Sequence, residues 1–365
     1  MRIGIEARWF VDGPPSGRRV ARSMVRGLAN AARGDEVHVF LDERTRSSPL
    51  PCGIAPERCH YVWGGNGLLS NMLAVPRAAD RLGLDVVLYQ NFVPPRALAH
   101  HARVAYVYDV IFESHPEFFT VRERLYFSPL RGLTAGADRV CTETESERTR
   151  IVRLGYAAAD RVDVVPPPVD ELFALERVAV AAGIPALPAR FVLFVGRLNT
   201  RKNVQTLVRA MQYVRNRELA LVIVGSRDAT SPDISAIARD AGVADRVHLM
   251  GGVSDRALRA IYARATLFCF PSLDEGFGMP PLEAMALGIP VIASRIPAVV
   301  ESCGDAATYV EPRDERAFAA AIDSLACDQP RRDAQRAAGF KRAGTFTSER
   351  FAIGILGSLH AAANR

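Results

Sequence analysis

The chain has 365 residues, 49% hydrophobic and 24% charged, with a formal net charge of +6 and a pI near 9.2. It is long for one domain and comfortable for two, and its composition is that of an ordinary globular protein. The basic residues are spread along the chain without the aromatic-interleaved stripe of single-strand binders, which argues against nucleic acid, while the charge permits attraction to phosphates or an anionic membrane surface.

In chain order, MRIGIEARWF reads as a first strand and lacks a signal-peptide core, and no apolar run reaches the ~18 residues of a membrane span, so a cytoplasmic protein is expected. RIGIEA (2–7), EVHVFL (36–41), DVVLYQ (85–90), VAYVYD (104–109), RVCTE (139–143) and RVDVVP (161–166) are strand-like and separated by helical patterns. Together they predict a doubly wound half over 1–170. Prolines and small residues follow, and 171–189 is expected to be a linker. From Arg190, RFVLFVGRL, LALVIVGS (219–226), RVHLMG (246–251), TLFCFPS (266–272) and PVIAS (290–294) are the near-continuous apolar strands of a parallel sheet buried on both faces, which predicts a second α/β domain over 190–345. The tail 346–365 reads as an amphipathic helix capped by Thr347 or Ser348. The six cysteines include no CxxC pair, and Cys141 and Cys269 fall in apolar runs, so neither disulfides nor a zinc site is expected.

The most informative stretch is DEGFGMPPLEAMALGIPVIAS, 274–294. Glu275 stands just past an apolar strand, where open α/β sheets bind ligands, and Glu283 lies eight positions on. Gly276 and Gly278 permit a tight wrap, Pro280 and Pro281 suit a helix's first turn, and Gly288 ends that helix. Unpaired amides and the positive helix end favour an anion there, beside which Glu283 can accept hydrogen bonds from hydroxyls. A second element is FVGRLNTRKN, 194–203. Only two of the 46 basic residues are lysine, Lys202 and Lys341, so a lysine at 202 implies a specific demand for a compact ammonium. Arg197 and Lys202 are expected to point into the same crevice as the 275 loop, with Arg201 between them left to solvent.

These two blocks resemble the signature of the group-1 type retaining nucleotide-sugar glycosyltransferases, whose hallmark is two glutamates separated by seven residues. The resemblance covers the C-terminal half closely and the N-terminal half in scattered pieces. It implies the GT-B architecture: two Rossmann-like α/β domains of doubly wound parallel sheet facing a central cleft, the N-terminal one on the acceptor side, the second holding the donor, and the last helix crossing back to the first domain. It also implies that Arg197 and Lys202 contact a diphosphate, that Glu283 holds ribose hydroxyls, and that Glu275 meets the donor sugar with help from the backbone amides of Phe277, Gly278 and Met279. Gly225 would border the base pocket.

In the N-terminal half, DGPPSGRRVARSMV (12–25) resembles the family's glycine loop, with Gly17 in the place of its last glycine. VAYVYDVIFESHPEFF (104–119) matches a segment that carries His-Asp in many relatives, and here the pair is Tyr108 and Asp109. The family often has Trp where Ser348 stands.

The expected activity is transfer of a hexose or deoxyhexose from a nucleoside-diphosphate sugar to a carbohydrate, lipid-linked or small-molecule acceptor in bacterial polysaccharide or glycoconjugate biosynthesis, as in mannosyltransferase relatives. The donor is a substrate, and no cofactor is expected. No Asp-x-Asp triplet occurs, so metal independence is expected as well. Two alternatives stay open: a non-catalytic partner subunit of the same fold, and a dinucleotide-dependent dehydrogenase, for which GGNGLL (64–69) lacks the final glycine.

Overall fold

The computed structural model describes residues 1–364 apart from 33, 64–66, 175–185 and 229. Residues 64–66 of GGNGLL and most of the expected linker therefore lie outside the described residues, while Gly67–Leu69 form a short helical turn. The chain forms two compact units: Met1–Val110, Arg124–Pro168 and Phe346–Arg365 make the first, and Ile111–Glu123 with Val169–Thr345 the second. Residues 111–123, expected in the N-terminal half, pack with the second unit.

The first unit is built on seven parallel strands: β1 (Arg2–Glu6), β2 (Glu36–Asp42), β3 (Cys59–Val62), β4 (Val86–Gln90), β5 (Ala102–Tyr106), β6 (Arg139–Thr142) and β7 (Val162–Val164), in the order 3-2-1-4-5-6-7. β1 pairs on one side with β2, Ile3 opposite Val37, and on the other with β4, Ile3 opposite Val86. Strand order reverses at β1, so the loops leaving β1 and β4 diverge and open a crevice at their carboxyl ends. Ile3, Ile5, Val39, Leu88 and Val104 form the middle of one core, which reaches Phe351, Ile355 and Leu359 of the terminal helix.

That helix, Ser348–Ala363, starts at Thr347, whose side chain accepts from the Arg350 amide. It packs on the first unit through Phe351, edge-on to Tyr106 at 5.9 Å, and through Ser358, whose hydroxyl donates to Asp163 at 2.6 Å. Two glycines allow the approach. A Cβ on Gly27 of helix Pro15–Ala31 would meet Ala352 Cβ at 3.1 Å, and one on Gly354 would meet Val165 Cγ1 at 2.8 Å. Ser348 at the family's usual Trp position thus does not prevent the packing, because the seam is closed by small residues.

The second unit has six parallel strands: β8 (Phe191–Val195), β9 (Ala220–Val224), β10 (Val247–Gly251), β11 (Leu267–Phe270), β12 (Val291–Ser294) and β13 (Ala307–Val310), in the order 10-9-8-11-12-13. Val192, Phe194, Leu221, Ile223, Cys269 and Ile292 are fully buried in its core. RVHLMG differs from the expectation of a strand covered on both faces: β10 is an edge strand, with Leu249 exposed. Here the order reverses between β8 and β11, the two strands that precede the 194–203 and 274–294 motifs. No helix among the described residues is long and apolar enough to cross a membrane.

Replacing Gly354 by leucine is expected to overpack the seam against Val165 and to lower stability by about 1–3 kcal/mol, read as a reduced urea midpoint. An unchanged midpoint would show that the terminal helix does not pack as described.

Candidate active site

The site is assembled by two loops of the second unit at the β8/β11 switch. The first leaves β8 and turns through Thr200–Lys202, where the Asn199 side chain accepts from the Lys202 amide at 3.1 Å. Asn203 then takes a left-handed conformation, φ 52°, which an asparagine tolerates better than most residues. Buried there, it donates to the carbonyl oxygens of Pro271 at 2.9 Å and Pro312 at 2.6 Å. One amide side chain thereby ties the first loop to the ends of β11 and β13. A backbone bond from the Leu273 amide to the Arg201 carbonyl, 2.8 Å, closes the junction.

The second loop leaves β11 and enters the helix Met279–Ala286 through Gly278, whose φ of 106° L-residues with a Cβ rarely adopt. A Cβ at Gly278 would also crowd Ser302 Oγ at 3.2 Å and Val299 Cγ2 at 3.3 Å. Pro280 and Pro281 carry no amide hydrogen, so the donors at this helix mouth are concentrated on Gly278 and Met279 and, just before them, Phe277.

Glu275 is the centre of the charge arrangement. Its carboxylate is buried and accepts from Lys202 Nζ on Oε1 and from Arg201 Nη1 on Oε2, both at 2.5 Å. Burial pushes its pKa up, but the Arg201 and Lys202 charges outweigh that and hold it at about 2. Arg201 also donates to the Asp274 carbonyl at 2.8 Å, and the Asp274 side chain caps the Glu275 amide at 2.8 Å. Lys202 Nζ lies 4.9 Å from the centre of the Phe270 ring, a cation–π contact from the last residue of β11. A guanidinium in place of the ammonium would have to share this space with that of Arg201.

The expectation that Arg201 is left to solvent is corrected here: its side chain is only 17% exposed and grips Glu275 beside Lys202, 12% exposed. Arg197 is 49% exposed, with its guanidinium 4.0 Å from Asp228. Gly225, at the end of β9, has φ 154°, and a Cβ there would stand 1.8 Å from the Gly196 carbonyl oxygen, so glycine lets β9 run against the loop that carries Arg197. Glu283, buried on the inner face of its helix, accepts from the Tyr262 hydroxyl at 3.0 Å. Tyr262 packs on Phe268 and Phe173. Sequence reasoning missed Tyr262, because a tyrosine on an amphipathic helix carries no sign of its partner.

Gly17 and Asp109 belong to the first unit. Gly17 is buried in the first turn of helix Pro15–Ala31, and a Cβ on it would lie 2.6 Å from the Trp9 ring. Within this unit the structural demand on Gly17 is thus the Trp9 ring. Asp109 follows Tyr108 beyond β5. The Tyr108 hydroxyl donates to Gln90 Oε1 at 2.6 Å, and its ring lies 5.6 Å from Trp9. Gln90 in turn donates through Nε2 to the Glu6 carbonyl, 2.8 Å, and Glu6 pairs with Arg8 at 2.9 Å. This locked array lies at the β1/β4 switch.

Replacing Glu275 by glutamine leaves Arg201 and Lys202 buried without their counter-charge and is expected to cost about 3–5 kcal/mol of stability, measured by denaturant unfolding. The pH dependence has a definite sign. Because the folded pKa is depressed from 4.5 to about 2, the Glu275 contribution is fully present above pH 4.5 and is lost as pH falls toward 2, an amount of roughly 3 kcal/mol. The stability gap between wild type and Glu275→Gln should therefore narrow below pH 4.5, and a gap constant with pH would contradict the ion-pair assignment.

Two family models match the chain: "Glycosyltransferase Family 4" over residues 17–171 and "Glycosyl transferases group 1" over 189–328. Among curated relatives, a D-inositol 3-phosphate glycosyltransferase of Stackebrandtia nassauensis is 32% identical over 241 residues, 62% of this chain and 54% of that protein. The match thus spans about half the length of that relative. O-antigen chain mannosyltransferase B of Escherichia coli is 28% identical over 273 residues, 71% of this chain and 70% of that protein. Among solved structures, sucrose-phosphate synthase of Thermosynechococcus elongatus superimposes with TM-score 0.78 at 21% identity, covering 99% of this chain and 98% of that one. Anabaena HepE, solved with UDP, gives TM-score 0.73 at 16% identity over 99% of both chains. The fold is GT-B, and the chain belongs to the group-1 glycosyltransferases.

Proposed function

We propose that the protein transfers a hexose or deoxyhexose from a nucleoside-diphosphate sugar to a carbohydrate, lipid-linked or small-molecule acceptor, with retention at the anomeric carbon and without a metal ion. The observation that carries this reading is the Lys202–Glu275–Arg201 arrangement beside the Gly278 helix mouth, at the sheet's topological switch. An ammonium has three donors and a guanidinium five, so each of these cations can address more than one acceptor. As the diphosphate leaves, negative charge grows on it, and preorganised cations and helix-end amides stabilise that charge more in the transition state than in the ground state. Arg197, more exposed, is suited to closing on the phosphates when the donor arrives.

Glu275 is a poor covalent nucleophile, since both of its oxygens are engaged and its pKa is about 2. That favours same-face displacement, in which the departing phosphate accepts the acceptor's proton and Glu275 holds the sugar. Glu283 would hold the ribose and Gly225 would border the base, while Gly17 and Asp109 would serve from the first unit. Neutralisation of the leaving group is assigned to Arg197, Arg201, Lys202 and the helix end. The names of the relatives, an inositol-phosphate glycosyltransferase and an O-antigen mannosyltransferase, support polysaccharide or glycoconjugate biosynthesis.

The test is a nucleotide-sugar panel scored by release of nucleoside diphosphate, with and without chelator, and by the anomeric configuration of the product. Release unaffected by chelator and a retained configuration are expected. Lys202→Ala should lower kcat about 10²–10³-fold, the usual cost of losing one transition-state donor. Undiminished turnover in that variant would overturn the assignment, and loss on chelation would overturn metal independence.

A further inference from the structure

Arg8, two residues after β1, has a side chain only 10% exposed that its neighbours satisfy along one edge alone. Its backbone amide and its Nε both donate to Glu6 Oε1, at 3.0 and 2.9 Å, while Glu6 Oε2 takes the Gln90 amide at 3.3 Å. Nη1 and Nη2 make no hydrogen bond to a described residue. A Cβ on Gly67 would stand 2.5 Å from Nη2 and 2.7 Å from Nη1, so glycine there leaves the guanidinium its place. We propose that Arg8 and Tyr126 form an oxyanion site of the first unit, which receives a carboxylate or phosphate carried by the acceptor; this rests on the glycosyltransferase reading above.

The position is that of a ligand site. Arg8 follows β1, Gly67 follows β3 and Phe92 follows β4, so all three stand at strand carboxyl ends beside the β1/β4 switch. The open edge of the guanidinium is a planar pair of N–H groups that matches two oxygens of a carboxylate or phosphate. Because Glu6 already pins the side chain through Nε, little rotamer freedom is left to lose on binding. The Glu6 carboxylate lies on the Nε edge, so an oxyanion at the Nη edge is nearer to the positive charge than to the negative one, and the nearer charge prevails. Asp42, which also feels the Arg8 charge, is engaged by Arg44 through both of its oxygens. Tyr126 is 37% exposed, its ring edge-on to Phe92 at 5.2 Å. Partial burial pushes its phenol pKa up and the Arg8 charge opposes this, which puts the hydroxyl within reach of the guanidinium's field. A neutral phenol there donates to a further oxygen of the same anion.

The experiment is saturation-transfer NMR on the full chain with methyl α-glucuronoside and mannose 6-phosphate, their neutral counterparts methyl α-glucoside and mannose, and titration of UDP and GDP. At least one acidic sugar is expected to bind more tightly than its neutral counterpart. Arg8→Lys keeps a cation beside the buried Glu6 but removes the fork, and should weaken that binding about tenfold; Tyr126→Phe, at a part-exposed position where only a hydroxyl is lost, should weaken it about threefold. UDP and GDP should bind equally well in both variants. Equal binding of acidic and neutral sugars, or binding unchanged in either variant, overturns the site. Weakened nucleotide binding in Arg8→Lys with acidic sugars unaffected also overturns it, since the oxyanion is then the donor's. If nucleotides bind and no acidic sugar does, the site falls and the donor reading stands; if acidic sugars bind through Arg8 and no nucleotide does, the site is supported and the donor reading falls.

Discussion

One carboxylate held between two cations organises the second unit. Glu275 is buried, an expensive place for a charge, and it is ionised because Lys202 and Arg201 meet its two oxygens. That requirement reaches far along the chain. It needs the loop after β8 to lie against the loop after β11, which the β8/β11 neighbourhood in the sheet provides and Asn203 braces through its bonds to Pro271 and Pro312. It also needs Gly278 to turn the chain into a helix whose mouth opens beside the cations. Ion pair, sheet order and helix entry are parts of a single solution.

The first unit fills its own switch with a mixed array that includes one ion pair, Glu6 with Arg8. At its switch between β1 and β4, Glu6, Gln90, Tyr108 and Trp9 form a chain of hydrogen bonds and ring contacts, with Gly13 and Gly17 wrapped around the indole. In the resembled segment many relatives carry His where this protein has Tyr108. A tyrosine here reaches back to Gln90 and is held by it, so the substitution changes the chemistry at the strand end from an imidazole to a phenol anchored in its own unit. The terminal helix completes the same unit, its Phe351, Ile355 and Leu359 extending the core.

Ligand recognition by such a scaffold is economical in new parts. The strand ends, the two loops and one helix mouth already exist to close the sheet, and the chemistry adds side chains at positions that the fold brings together. Beside Leu273, the loops after β11 and β13 meet the 115–118 segment around a separate cavity.

The sequence by itself determined the architecture, because buried parallel strands must be apolar throughout: the runs at 191–195, 220–224 and 267–270 could be read directly, as could the helix entry at Gly278 and the glutamates at 275 and 283. The two strands that escaped, β3 (Cys59–Val62) and β13 (Ala307–Val310), are both sheet edges with three of four residues half-exposed, so no unbroken apolar signal marks them. Lys202 was legible from its rarity. Only the tertiary structure decided that Arg201 shares Glu275 with it while Arg197 stands by Asp228, and that Tyr262 meets Glu283. The reason is that spacing along a loop says which residues are near a strand end, whereas side-chain direction there depends on turns and on partners from 20 to 75 residues away that local pattern cannot register.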